Sequence, residues 1–289
     1  MKKIFLLLIT ISIFLASCNK FLDVNPKAEV INDDMFKTKQ GCEDAVWGLY
    51  GQLKANSLYG EYMNWGIFDA LAQNLRVSTT FTSRYYFASY NYNDAKPYIY
   101  DMWTKAYEVI GHSNNVIENL EKIDPSTYPL YSLYLGEAYG IRSMLLFDLI
   151  RIFAPHVERS GSSRGIPYVT EYSFKHTPFS TVNQVYEYLI RDIKKAQQLL
   201  EGDKENIQYP RVKDELINSS FLKGRQIHFN YYAATALLAR VYWTKGDLAN
   251  ARTEALKIID SGKYPLVEKD EITNLMAGTF SPKETIWGI

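Results

Sequence analysis

Three groups of residues in this 289-residue chain have types and spacings that could carry chemistry. Gly161-Ser162-Ser163-Arg164-Gly165 fits Gly-x-Ser-x-Gly, the hydrolase nucleophile elbow, which needs a strand before the serine and a helix after it. Here a helical pattern ending at Ala154-Pro155 comes before and Pro167 follows, so 160–165 is expected to be a flexible polar loop. Arg142, Asp148 and Arg151 lie on the most apolar helical stretch, and Asp148 and Arg151, three apart, can pair on one face. They are either ligand contacts or a buried, paired network that fixes helix register. The second reading is favoured, because breaking a buried pair costs on the order of 3–5 kcal/mol. The third group precedes Trp103: Trp65, Asp69, Asn74 and Arg76, then Tyr85-Tyr86-Phe87 and Tyr90-Asn91-Tyr92-Asn93. Aromatic faces stack on sugar rings, while amides and guanidinium groups exchange hydrogen bonds with hydroxyls. Arg76, Tyr90, Asn91 and Tyr92 are the candidate ligand-binding residues; the alternative is a tyrosine-rich loop packed on the helices.

Other chemistries find no support. With 32 acidic side chains some carboxylate pair always qualifies for glycoside hydrolysis, so the count decides nothing. No His-Glu-x-x-His and no phosphate-cradling glycine loop occurs, and two cysteines with four scattered histidines cannot build a zinc framework. No catalytic residue, metal or cofactor is expected. Equal numbers of basic and acidic residues, 32 each, argue against a nucleic-acid partner. A hydrophobic fraction of 47% excludes disorder for most of the chain. Tyrosine outnumbers phenylalanine 23 to 14, which suits partly wet surfaces.

Helices must position these residues. Cys42, Val46, Leu49 and Leu53 form one apolar face within 39–54, and Trp103, Tyr107, Ile110, Asn114 and Ile117 follow the same period. Residues 133–153 are apolar on more than one side, as in a buried helix, and stop before Pro155. A further helix runs from Val182 to Leu200. Strand candidates are Tyr264–Glu268 and Thr285–Ile289. Leu238, Ala239, Tyr242, Gly246, Asp247 and Ala251 resemble a tetratricopeptide repeat, with Gly246 in the turn. A single repeat cannot bury its own faces, so the earlier helices must stack on it.

The amino terminus reads as an export signal. Lys2 and Lys3 precede the apolar run 4–15, too short for the ~20 residues that span a bilayer. Leu15-Ala16-Ser17-Cys18 resembles a bacterial lipobox, with Cys18 acylated as the mature amino terminus. The expected organisation is a signal at 1–17, a lipidated tether at 18–38 broken by Asn25-Pro26 and Asn32-Asp33-Asp34, and a helical domain at 39–289. Cys42 then has no disulfide partner and packs as a small hydrophobe.

These segments together resemble the SusD/RagB lipoproteins. Cys18-Asn19-Lys20-Phe21-Leu22-Asp23-Val24-Asn25-Pro26 is similar to their Cys-x-x-Phe-Leu-Asp-x-x-Pro opening. Trp103, Tyr107, Ile110 and Asn114 resemble the family's Trp-x-x-x-Tyr-x-x-Ile-x-x-x-Asn helix. Glu137-Ala138, Arg142 and 147–153 resemble its core helix, and Ile166-Pro167, the helix from Val182 and Leu238–Tyr242 continue the order to Tyr264-Pro265-Leu266. Where the family has Phe-Gly, this chain has Phe153-Ala154-Pro155-His156. The family also continues well beyond the last helical pair, and Thr285–Ile289 resembles the opening of a further segment, so the domain is expected to be truncated at its carboxyl end. The resemblance implies a mainly α fold: a superhelical stack of tetratricopeptide-like helical hairpins with irregular loops and little β structure. It implies a non-enzymatic, surface-exposed outer-membrane lipoprotein, anchored in the membrane through its lipid. Such a protein captures a glycan, or in some branches a peptide, and delivers it to a TonB-dependent (SusC-like) transporter. A helical-repeat scaffold that binds only proteins stays open as a further alternative.

Overall fold

A threonine cap starts the first long helix. Thr38 is extended and its hydroxyl accepts from Gly41 N at 3.0 Å, after which α2 runs Lys39–Leu53 with Cys42, Val46, Leu49 and Leu53 buried. This is a computed structural model, describing residues 32–80, 82–211, 216–225, 228–273 and 283–288. Cys18 and the signal segment 1–17 lie outside the described residues. Ahead of α2, Asn32–Met35 form a short helix α1, and Phe36 behind it is buried. Asn32-Asp33-Asp34 therefore open a helix rather than break the chain, and packing begins before residue 39.

After a π-helical turn at Asn56–Gly60, the chain forms α3 (Ile67–Leu71), α4 (Thr82–Ala88), α5 (Tyr92–Leu120) and α6 (Tyr131–Phe153). Helix α5 starts eleven residues ahead of Trp103 because Asn91 caps it; Pro97, in its second turn, leaves the Asn93 carbonyl without its helical donor. Then come α7 (Val157–Ser160), the antiparallel strands β1 (Arg164–Pro167) and β2 (Phe179–Thr181), α8 (Val182–Leu199) and α9 (Asp203–Asn206). The described chain closes with the hairpin α10 (Tyr231–Thr244) and α11 (Leu248–Ile259). Gly246 sits in its turn at φ +84°, a conformation L side chains rarely adopt. The stack follows chain order, α5 on α6, α6 on α8, α8 on α10 and α10 on α11, with α2 covering α5 and α6. The fold is mainly α, as expected, with one two-stranded ribbon among the described residues.

Two local expectations are corrected. Arg164 and Gly165 belong to β1, not to a loop, because Arg164 pairs with Thr181 and Pro167 with Phe179 of the segment that leads into α8. Tyr264–Glu268 and the described part of Thr285–Ile289 are not strands; short alternating runs beside a helical hairpin pack on it as irregular chain, with Tyr264 and Trp287 against the core.

Helix α6 is buried nearly all round, so its polar residues need partners inside the protein. Glu137 accepts from Arg225 Nη1 at 2.6 Å, and Arg225 reaches Asp203 through Nη2 at 2.5 Å and Nε at 3.0 Å. Tyr50 of α2 donates to Glu137 and accepts from Phe229 N at 2.7 Å, while His228 Nδ1 lies 3.1 Å from Glu137. Between three and four turns further along the same helix are Asp148 and Arg151, 3.2 Å apart; Arg142 takes no part in that pair. It bonds Asp192 of α8 at 2.7 Å and Asn114 of α5 at 2.8 Å, where the Tyr168 hydroxyl also reaches Asp192. The expected single network is thus two, because a guanidinium on α6 selects whichever neighbouring helix faces it.

Burial pushes the Glu137 carboxyl up, but Arg225, His228 and the Tyr50 hydrogen bond outweigh it and hold the group below its ordinary range. Its contribution to stability is therefore complete above the ordinary carboxylate range and is lost as pH falls through the depressed native value. Glu137→Gln leaves Arg225 buried with one carboxylate fewer. The expected cost is about 3–5 kcal/mol, measured as a lower urea midpoint at neutral pH.

Candidate functional site

Residues 61–102 form a unit with its own small core. Ile67 of α3, Phe87 of α4 and Ala95 and Met102 of α5 are buried together, apart from the main core, with Tyr62, Phe68, Tyr86 and Tyr98 packed around them. Gln73 stitches α3 to α4 by donating to Ala88 O at 2.7 Å, and Asn74 donates to Asp69 at 3.1 Å. Tyr90 is held at φ +54°, an uncommon conformation for a bulky side chain, with its hydroxyl donating to Leu71 O at 3.3 Å. Such departures persist where the surroundings over-determine them, and they cluster at binding sites.

The candidate residues are placed unequally. Tyr90 and Tyr92 are both about half exposed and adjacent, with ring centroids 6.5 Å apart, so they present one aromatic surface. Asn91 lies between them but its amide is engaged in the cap, accepting from Asp94 N at 3.4 Å and donating to the Asp94 carboxylate at 2.8 Å. It positions the two rings at the head of α5. Arg76 is exposed, and among the described residues no hydrogen bond joins it to Tyr90, Asn91 or Tyr92. Trp65 is also exposed and carries the Arg84 guanidinium 4.9 Å from its ring centroid, with Arg84 bonded to Glu61 at 2.8 Å. Tyr100, 68% exposed, extends the aromatic surface along α5. Sequence reasoning passed over Tyr100 because its helix was read as starting after it.

A second concavity was not among the sites expected from the sequence. A cleft of about 490 Å³ opens between α5 and the β1–β2 connection, lined by Trp103, Tyr107, Gly111, His112, Tyr172 and Phe174 among others. Tyr107 donates to Pro167 O at 2.8 Å, and Asn114 donates to Val169 O and Glu171 O at 3.1 and 3.3 Å, which fixes that connection to the helix. These bonds give the tyrosine and asparagine of the α5 pattern their structural task, while the Trp103 ring packs on Tyr107 and Phe153. Phe174 is fully exposed. The signal was present in Tyr172 and Phe174, two aromatic rings within an otherwise polar run.

A smaller cavity of about 300 Å³ separates the 61–102 unit from α6 and is lined by Met63, Phe68, Leu71, Asp148, Arg151 and Ile152. Tyr59 donates to Asp148 at 2.7 Å. The Gly161–Gly165 motif has a helix before it and a strand after it, the reverse of a nucleophile elbow. Among the described residues no group of three or more histidine, cysteine or acidic side chains could hold a metal, and no helix is long and apolar enough to cross a membrane. Cys42 is a buried free thiol, pushed up to about 11 by burial and by Glu43.

Burial pushes the Asp148 carboxyl above its ordinary range, against the Tyr59 hydrogen bond and the Arg151 charge. Its ionised form is thus disfavoured by folding, a cost that fades as pH falls through the raised native value. Asp148→Asn keeps an acceptor for Tyr59 and removes the charge. Thermal unfolding at neutral pH is expected to show a Tm unchanged or raised by up to about 4 °C.

The family model described as "Starch-binding associating with outer membrane" matches residues 20–243. SusD-like protein P2 of Formosa agariphila is 25% identical over 297 residues, spanning 99% of this chain and 53% of the relative. SusD-like protein P38 of the same organism is 27% identical over 223 residues, 68% of this chain and 37% of the relative. The chain thus spans about half or less of the curated relatives it matches. A SusD superfamily protein from Bacteroides thetaiotaomicron aligns at TM-score 0.58 with 24% identity, over 82% of this chain and 49% of that one. A SusD-like carbohydrate binding protein from Bacteroides vulgatus aligns at TM-score 0.63 with 18% identity, over 86% and 50%. These structural similarities establish the shared fold.

Proposed function

The chain belongs to the SusD-like family, and from that premise we propose that it captures glycan at the cell surface and delivers it to a TonB-dependent outer-membrane transporter. The observation that carries the reading is the exposed pair Tyr90 and Tyr92, set on a capped helix start with Tyr100 exposed further along the same helix. Flat apolar rings with few rotatable bonds lose little freedom when a sugar face stacks on them, and their hydroxyl tips suit a wet ligand. Arg76, exposed within the same unit, offers guanidinium donors for sugar hydroxyls. Cys18, in its lipobox-like setting, would anchor the protein in the outer membrane, where acyl chains at ~0.8 kcal/mol per buried CH₂ hold it firmly. The protein's role is binding without bond cleavage, and the reversed order of elements around Ser163 is consistent with that.

Affinity electrophoresis through gels containing neutral polysaccharides tests the capture. The wild-type chain is expected to be retarded by at least one glycan. Tyr90→Ala with Tyr92→Ala should weaken that retardation about tenfold, the loss of one or two stacking contacts at ~0.5–1.5 kcal/mol each, with no change in Tm. Retardation that survives in the folded double variant removes these residues from the site. Recovery of a TonB-dependent transporter with the native lipoprotein from detergent-solubilised outer membrane tests the delivery step, and its absence would favour a scaffold that binds other proteins.

A further inference from the structure

Tyr92, Tyr100, Trp103 and Tyr107 follow one another on α5 at gaps of eight, three and four residues, which places them on one flank of the helix. Gly111, four residues on, continues the flank. The first two rings are exposed, and the last three positions line the cleft opposite Tyr172 and Phe174. An aromatic track therefore runs from the candidate site into the cleft. From Tyr92 to Tyr107 it covers about 22 Å at the rise of an α-helix.

The cleft itself has the chemistry of a ring site. Its carboxylates are balanced locally, Glu108 by Lys105 at 2.7 Å and Glu171 by Lys175 at 3.9 Å, so it offers hydrogen-bonding groups with little net charge. Gly111 keeps its floor open. A methyl group added there would meet only Tyr172, at 3.9 Å, an ordinary contact. Packing does not demand glycine at this point, and glycine is disfavoured against alanine in a helix interior.

The geometry points to a second saccharide subsite in this cleft: a neutral glycan chain seated on Tyr90 and Tyr92 runs along the α5 flank and places a further ring between Trp103 and Phe174. The inference rests on the carbohydrate capture proposed above and adds a rule of selection. A chain long enough to reach both points gains the effective concentration of a linked contact, whereas a disaccharide occupies one point at a time. Helix α5 sets the spacing, so the protein favours polymer over its breakdown products.

The test is an array of neutral α-glucan, β-glucan and β-fructan series, each present as its disaccharide and its decasaccharide. It is read with the wild-type chain, Phe174→Ala and Gly111→Leu. Wild type is expected to bind a long form at least about tenfold tighter than its short form. Both variants should melt as wild type does, keep the short-form affinity and lose the advantage of length. Gly111→Leu fills the cleft from the helix side while Phe174→Ala removes a wall of it from the connection, and unchanged melting of both shows that a shared loss is not a loss of the fold. Folded variants that keep the full length advantage overturn the subsite and leave carbohydrate capture standing. A wild-type chain that binds no glycan on the array overturns the capture reading, and the subsite with it.

Discussion

A guanidinium shut away from water organises the stack. Arg225 is buried between Glu137 of α6 and Asp203 of α9, and Glu137 in turn holds Tyr50 of α2 and His228. A charge in that position is tolerated only with its partners and their hydrogen bonds in place. Apolar contact alone would let α6 slide or rotate against its neighbours, since it is hydrophobic on nearly every side. The ion cluster removes that freedom by requiring α2, α6, α9 and the chain before α10 to meet at one point. The Arg142 cluster does the same for α5, α6 and α8 through Asn114 and Asp192. Helices α2, α5, α6, α8 and α9 are thus set in register by polar pairs as well as by packing.

Much of this was legible in the sequence, and for a definite reason. Periodicity reports what a residue does relative to its own helix, so the apolar face from Cys42 to Leu53, the all-round burial of α6 and the turn at Gly246 could be read directly. The ordered match to a family gave the stacking. Hidden from view were partners distant in the chain: Glu137 and Arg225 stand 88 residues apart, and nothing local couples them. Arg142 was assigned to Asp148 and Arg151 because they share a helix, whereas the pairing is decided by what faces that helix in space. The short strands were missed for a related reason, since a two-stranded ribbon pinned at its ends shows little alternation.

The candidate site divides the same way. Tyr90 and Tyr92 could be named because aromatic residues clustered with amides are visible as composition, and they do form one surface. Asn91 looked like a ligand donor because its type fits, while its position at a helix start assigns its amide to the cap. The cleft beside Trp103 needed the fold, because Tyr172 and Phe174 come to α5 from more than fifty residues away through the Asn114 bonds to Val169 and Glu171.

One helix serves two cores. The amino-terminal part of α5 supplies Ala95 and Met102 to the small cluster, and its remainder supplies Val109, Ile110, Val116 and Ile117 to the large one. The small cluster has four fully buried members, so opening it exposes far less apolar surface than opening the stack. Segment 61–91 can therefore loosen and close again while the rest of the molecule stays folded, with the far half of α5 as its fixed template. Amide protons there are expected to exchange with solvent through such brief openings, at rates set by this local equilibrium and not by the stability of the whole chain.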